Sequence, residues 1–125
     1  ESSIAEKLEA IVHNGYLDSR YKDFYDIYIL TGTYAVTYET MKNAVVETFQ
    51  NRGTEMSMST AAFGNEFLHD LLHQTRWKSF LTKKKALARI SFEDAISGVK
   101  TFAEPLLAAA NDNKNSWDPM RRIWK

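Results

Sequence analysis

The sequence predicts an all-α chain: a single helical bundle of about five helices, closed by a short C-terminal turn. Apolar residues recur at helical spacing along most of the 125 residues, and only two prolines and five glycines interrupt them. Almost nothing alternates in the manner of a half-buried strand. Hydrophobic residues make up 44% of the chain, enough for one sizeable core, so residues 1–125 are expected to form one domain.

Ile4, Leu8, Ile11 and Val12 space a first helix from Ser3 to Asn14, with Ser3 and Glu6 as an opening capping box and Gly15 as the stop. Asp18 or Ser19 caps a second helix that reaches Leu30 or Thr31 and ends at Gly32. Thr33 to Tyr38, rich in β-branched and aromatic residues, is a brief extended connection. Met41, Ala44, Val45, Thr48 and Phe49 mark a third helix that stops before Gly53, and a polar connection leads to a capped start at Ser59 or Thr60. From Phe63 to Leu81 the pattern is helical, with Phe67, Leu68, Leu71 and Leu72 as the inward face and Trp77, Phe80 and Leu81 continuing it. Ser91 caps a helix carrying Phe92, Ala95, Ile96, Val99, Phe102, Ala103 and Leu106 on one face, and Pro105 is expected to kink or break it. Asn111 to Ser116 is a polar loop. The closing segment, Trp117 to Trp124, is expected to make one or two helical turns after Pro119, docked by its two indoles.

Sixteen basic and sixteen acidic residues leave no net charge, so any nucleic-acid surface must be local. Absence of cysteine removes disulfides, thiol catalysis and cysteine-bound zinc, and is compatible with a cytoplasmic location. No membrane span or signal peptide is visible.

The segment Ser19 to Leu30 is apolar on most of its helical circumference, yet Lys22, Asp23 and Asp26 fall within about 100° of arc. A helix of that kind is buried, and a buried carboxylate needs a partner, since an isolated buried charge costs several kcal/mol, comparable to a whole stability margin. Two explanations fit. Asp23 and Asp26 are either a catalytic or nucleotide-binding pair, or members of a structural ion network with Arg20, Lys22 and Lys7. Lys7 lies beside the Ile4, Leu8, Ile11 stripe and can reach over the second helix, or it can snorkel to water.

Arg20-x-Lys22-Asp23-Phe24-Tyr25-Asp26-Ile27-Tyr28, preceded by Ile4-Ala5-Glu6-Lys7-Leu8-Glu9-Ala10-Ile11-Val12, resembles the C-terminal helical half of the AbiEii/AbiGii abortive-infection toxin family of nucleotidyltransferases. A weaker pattern downstream agrees: Ala44 to Phe49 followed by Arg52, Gly53 and Thr54, then Trp77-x-x-Phe80, Phe92 to Ile96, Phe102-x-x-Pro105, Trp117 and Trp124. The resemblance implies a toxin that transfers a nucleoside monophosphate from an NTP to an acceptor, RNA and in particular tRNA, under the control of a cognate antitoxin. Family members carry, upstream of this region, a nucleotidyltransferase sheet with a Gly-Ser pair and an Asp-x-Asp metal motif. Neither motif occurs here, so the chain is expected to be the C-terminal part of a longer protein whose N-terminal domain holds Mg²⁺. By the same resemblance, Lys7 neutralises triphosphate charge and Asp23 and Asp26 orient that lysine, the nucleotide or an acceptor hydroxyl. Arg20 and Lys22 are further phosphate candidates, no residue of this segment binds metal, and the segment alone is expected to be inactive. The alternative is a non-catalytic helical module that binds a partner, with a structural Asp/Lys network.

Two other features carry weaker signals. His69 and His73 stand four apart, as in zinc helices, but with Phe67 and Leu71 inward both imidazoles should face the polar side, and no third ligand is evident. Lys78, Lys83, Lys84, Lys85 and Arg89 form the basic cluster; its plain explanation is a solvated helix end that complements the dipole, its functional one a phosphate-contacting patch. Tyr21, Tyr25, Tyr28 and Tyr34 at helical spacing belong to the core more readily than to a base-stacking platform.

Overall fold

The computed structural model describes residues 1–15, 21–84, 90–108 and 115–125. Among these, six helices follow one another: α1 (Ser2–Asn14), α2 (Tyr21–Thr33), α3 (Tyr38–Arg52), α4 (Asn65–His69), α5 (Leu71–Lys84) and α6 (Phe92–Leu107), with a 3₁₀ turn at Ala61–Phe63 before α4. Two short antiparallel strands, β1 (Trp117–Asp118) and β2 (Ile123–Trp124), close the chain. α1 packs on α2 and α3, and α6 packs on α2 and α3, so α2 is gripped from two sides. The core is aliphatic and aromatic, with Leu8, Ile11, Phe24, Ile27, Met41, Val45, Phe49, Val99 and Leu106 fully excluded from solvent.

The all-α expectation holds for the body of the chain. Gly15 at φ 57° and Gly53 at φ 67° end α1 and α3, where a left-handed residue frees the helix to turn away. Ser91 Oγ accepts the Asp94 amide at the start of α6. Ser3, by contrast, does not cap: α1 begins one residue earlier, with Glu1 at the cap position and no side-chain hydrogen bond there. The candidate caps Asp18 and Ser19 lie outside the described residues. Gly32 does not stop α2, which runs to Thr33; a β-carbon at Gly32 would collide with the guanidinium of Arg122, so this glycine admits a side chain from the C-terminal segment.

Three further expectations change. The helix foreseen from Phe63 to Leu81 breaks at Asp70, whose Oδ1 accepts the amides of Leu72 and His73 and so starts α5 afresh. The break resets the helical phase. Leu71 and Leu72 point outward, with Leu71 77% exposed, and His73 and Trp77 turn inward. His69 and His73 therefore do not share a polar face. Second, of the kink or break expected at Pro105 the break is absent: α6 continues to Leu107, and the Pro105 carbonyl accepts from Tyr38 Oη at 2.8 Å.

Third, the closing segment is a hairpin and not a helical turn. Asp118 Oδ1 accepts the amides of Met120 and Arg121, the Arg122 amide returns to the Asp118 carbonyl, and Arg122 takes φ 53°, which brings Trp124 back opposite Trp117. The indoles dock as expected: Trp117 Nε1 donates to the Thr31 carbonyl at 2.6 Å and Trp124 Nε1 to the Phe102 carbonyl at 2.9 Å. The Thr33 to Tyr38 connection is extended where Thr37 bridges Ser116, and Trp117 N donates to Val36 O.

Candidate functional site

The α1–α2 interface carries the sequence-predicted residues. Ile4, Leu8 and Ile11 turn α1 inward, which leaves Lys7 on the flank facing α2. Lys7 Nζ lies 3.4 Å from Asp26 Oδ2, and the two side chains retain 24% and 20% of their exposure. Both ends of the pair therefore remain reachable from solvent. Asp23, one turn earlier on α2, is only 2% exposed. Lys22 is exposed, and Arg20 lies outside the described residues. The structure thus brings Lys7 and Asp26 together at the surface and sets Asp23 beneath it.

Beyond Asp26, α2 meets α5. Tyr25 is half-buried, with its ring edge-to-face on Phe80 at 5.7 Å between centroids, and Lys84 Nζ stands 5.2 Å from the Tyr25 ring centre. The end of the basic cluster is thereby beside the helix of the candidate carboxylates. Lys85 and Arg89 lie outside the described residues.

Two buried ionisable groups escaped the sequence reading. Glu9 is 4% exposed and accepts from Arg52 Nη1 at 2.8 Å and Thr54 Oγ1 at 2.6 Å, tying α1 to the end of α3. Burial pushes its carboxyl up, but the hydrogen bonds from Thr54 and Arg52 and the nearby charges of Arg52 and His13 outweigh burial and hold it below its usual value. A faint signal existed, since Glu9 falls only about 40° beyond the line of Ala5, at the edge of the apolar stripe. The other group is His73, whose Nδ1 lies 2.7 Å from Tyr21 Oη in an aromatic setting with Phe67 and Phe92. Nothing in the local pattern announced it, because the phase change at Asp70 is what turns it inward.

A polar cleft of about 460 Å³ opens at the start of α3, lined by Thr37, Glu39, Lys42, Asn43 and Asn115 among others. None of the sequence-predicted residues lines it. Lys42 Nζ donates to the carbonyls of Leu106 and Ala108, capping α6, and burial lowers its pKa.

A family model described as "Nucleotidyl transferase AbiEii toxin, Type IV TA system" matches residues 1–98. The chain belongs to this nucleotidyl transferase toxin family. The match takes in Lys7, Arg20, Lys22, Asp23 and Asp26 and ends within α6, so the hairpin that pins α2 lies beyond it. No curated protein and no solved structure matches the chain. A toxin of a type IV toxin–antitoxin system has a cognate antitoxin as its counterpart. No helix among the described residues is long and apolar enough to cross a membrane.

No three His, Asp or Glu side chains come together among the described residues, and the carboxylate at the surface already faces an ammonium.

Proposed function

We propose that this chain is the helical portion of a nucleotidyltransferase toxin that moves a nucleoside monophosphate from an NTP to an RNA acceptor such as tRNA, in the cytoplasm. The observation that carries the proposal is the Lys7–Asp26 pair, 3.4 Å apart and reachable from solvent where α1 meets α2. In such a transfer an acceptor hydroxyl oxygen bonds to the α-phosphorus, the bridge to the β-phosphate breaks, and pyrophosphate leaves with the electron pair. The work of the protein is positioning and charge stabilisation. Lys7, held by Asp26, supplies positive charge to the triphosphate; Lys22 of α2 and Arg20, two residues before it in sequence, are further candidate cations. Asp26 is the carboxylate that can meet a ligand or an acceptor hydroxyl, and Asp23, buried below it, supports α2. Mg²⁺ belongs in this proposal to an N-terminal nucleotidyltransferase domain of the same protein, and no step is assigned to it here.

The test is nucleotide transfer by the protein expressed with its upstream reading frame, using labelled NTPs and total RNA. Lys7→Ala is expected to lower transfer about 100-fold, the scale on which loss of one charge-stabilising group acts, while the folded population stays intact. Equal losses of activity and folded protein would instead favour a partner-binding module in which Lys7, Asp23 and Asp26 are structural.

A further inference from the structure

α2 is flanked on one side by α1, which contributes Lys7, and on another by α5, which contributes Phe80 and Lys84. Round the circumference of α2, at about 100° per residue, Tyr25, Lys22 and Asp26 fall on successive lines spanning about 100° of arc. The order across this surface is therefore Lys84, Tyr25, Lys22, Asp26, Lys7. Lys22, Lys83 and Lys84 are exposed, Tyr25 is partly buried against the core, and the single carboxylate of the strip among the described residues is the one Lys7 already faces.

An accessible aromatic ring set among ammonium groups matches the chemistry of a single nucleic-acid strand, whose bases stack on such rings while its phosphates meet cations. A duplex keeps its bases stacked internally and offers only phosphates and groove edges to the same surface. We propose that this strip seats a single-stranded RNA segment, with one base on Tyr25 and phosphates on Lys83 and Lys84. In the free chain Lys84 covers the Tyr25 ring. The incoming base takes its place, since stacking outweighs a cation–π contact at an exposed site, and the ammonium turns to the adjacent phosphate. The strand then runs toward Lys7 and Asp26. That last direction rests on the function proposed above; the strand binding does not.

The experiment is fluorescence anisotropy of the 125-residue chain with a labelled single-stranded RNA of about 12 nucleotides, titrated over a range of salt. The double variant Lys83→Gln/Lys84→Gln is expected to weaken binding and reduce the salt slope by about 0.7 for each phosphate that no longer meets a lysine. Tyr25→Leu is expected to weaken binding by roughly 5- to 100-fold, and Tyr25→Phe, which keeps the ring and its packing on Phe80, to bind like the parent. A duplex of the same length should bind more weakly. No binding by the parent chain, a salt slope unmoved by the lysine variant, or equal affinity for Tyr25→Leu and the parent would overturn the proposal. If Lys83→Gln/Lys84→Gln binds RNA unchanged while Lys7→Ala loses transfer, this inference falls and the proposed function stands. If Lys84 and Tyr25 govern RNA binding while Lys7→Ala transfers normally, the inference stands and the assigned catalytic site falls.

Discussion

Lys7 of α1 and Asp26 of α2 face each other at 3.4 Å at the edge of a core that buries Leu8 and Ile11 of α1 and Phe24 and Ile27 of α2. A pair this exposed contributes little to folding, because water screens it and both side chains lose rotamer freedom. A double-mutant cycle with Lys7→Ala and Asp26→Asn, read by urea unfolding, is expected to give a coupling of about 0.2–1 kcal/mol. A coupling of several kcal/mol would mean that the pair is a structural tie.

Gly98 of α6 makes room for Tyr28 of α2. A β-carbon there would sit 2.7 Å from Tyr28 Cδ1, and the ring is held by Arg122, whose guanidinium carbon lies 3.7 Å from its centre. Gly98→Ala should improve intrinsic helix propensity by about 0.8–1 kcal/mol and cost about 1–3 kcal/mol in overpacking, so the urea midpoint is expected to fall with an unchanged m-value. A raised midpoint would show that the ring can move aside.

Trp117 is fully buried, and its Nε1 satisfies the Thr31 carbonyl in the last turn of α2, a group the helix itself cannot pair. It also lies edge-to-face on Phe102 at 5.0 Å. Trp117→Ala is expected to destabilise the chain by about 3–5 kcal/mol, and Trp117→Phe, which keeps most of the ring, by about 1–3 kcal/mol. Similar melting curves for all three proteins would show that the hairpin is not anchored through this indole.

Glu9 sets an acid limb of stability. Its folded carboxyl titrates below the unfolded value of about 4.3, so its contribution is fully present above that pH and disappears as pH falls through the lower folded value. Asp118, whose carboxylate accepts the Arg121 and Met120 amides, is also lowered and acts in the same direction. Against Glu9→Gln, the parent chain should hold its largest stability advantage above about pH 5 and lose it on further acidification. An advantage that stays constant down to pH 3, as a rough lower limit, would mean that shape, and not charge, matters at this position.

Local pattern was enough to name the helices whose boundaries have a residue-level cause. Gly15 and Gly53 need only their own backbone freedom, Ser91 needs only the amide three residues on, and the stripe from Phe92 to Leu106 needs only periodicity. The same local signal singled out Lys7, Asp23 and Asp26, because a charge on an apolar helix stands out within one turn. It misjudged Asp70, where a side-chain cap competes with an equally good continuing helix, and Trp117 to Trp124, where both a helical turn and a hairpin suit the residues. In each the choice is made by distant partners: His73 meeting Tyr21, and Trp117, Trp124 and Arg122 finding carbonyls on α2 and α6.

By itself, then, the sequence determined the helical class, the helices with self-contained ends, the family through its Lys-Asp-x-x-Asp segment, and the set Lys7, Asp23 and Asp26 without saying which carboxylate the lysine meets. Tertiary structure alone decided that Asp23 is buried while Asp26 is open, that Glu9 is clasped by Arg52 and Thr54, and that Lys84 comes to rest over Tyr25. The physical reason is range. Helix propensity, caps and periodicity act within about four residues along the chain, and the burial of a carboxylate or the company of a lysine depends on which helices pack together.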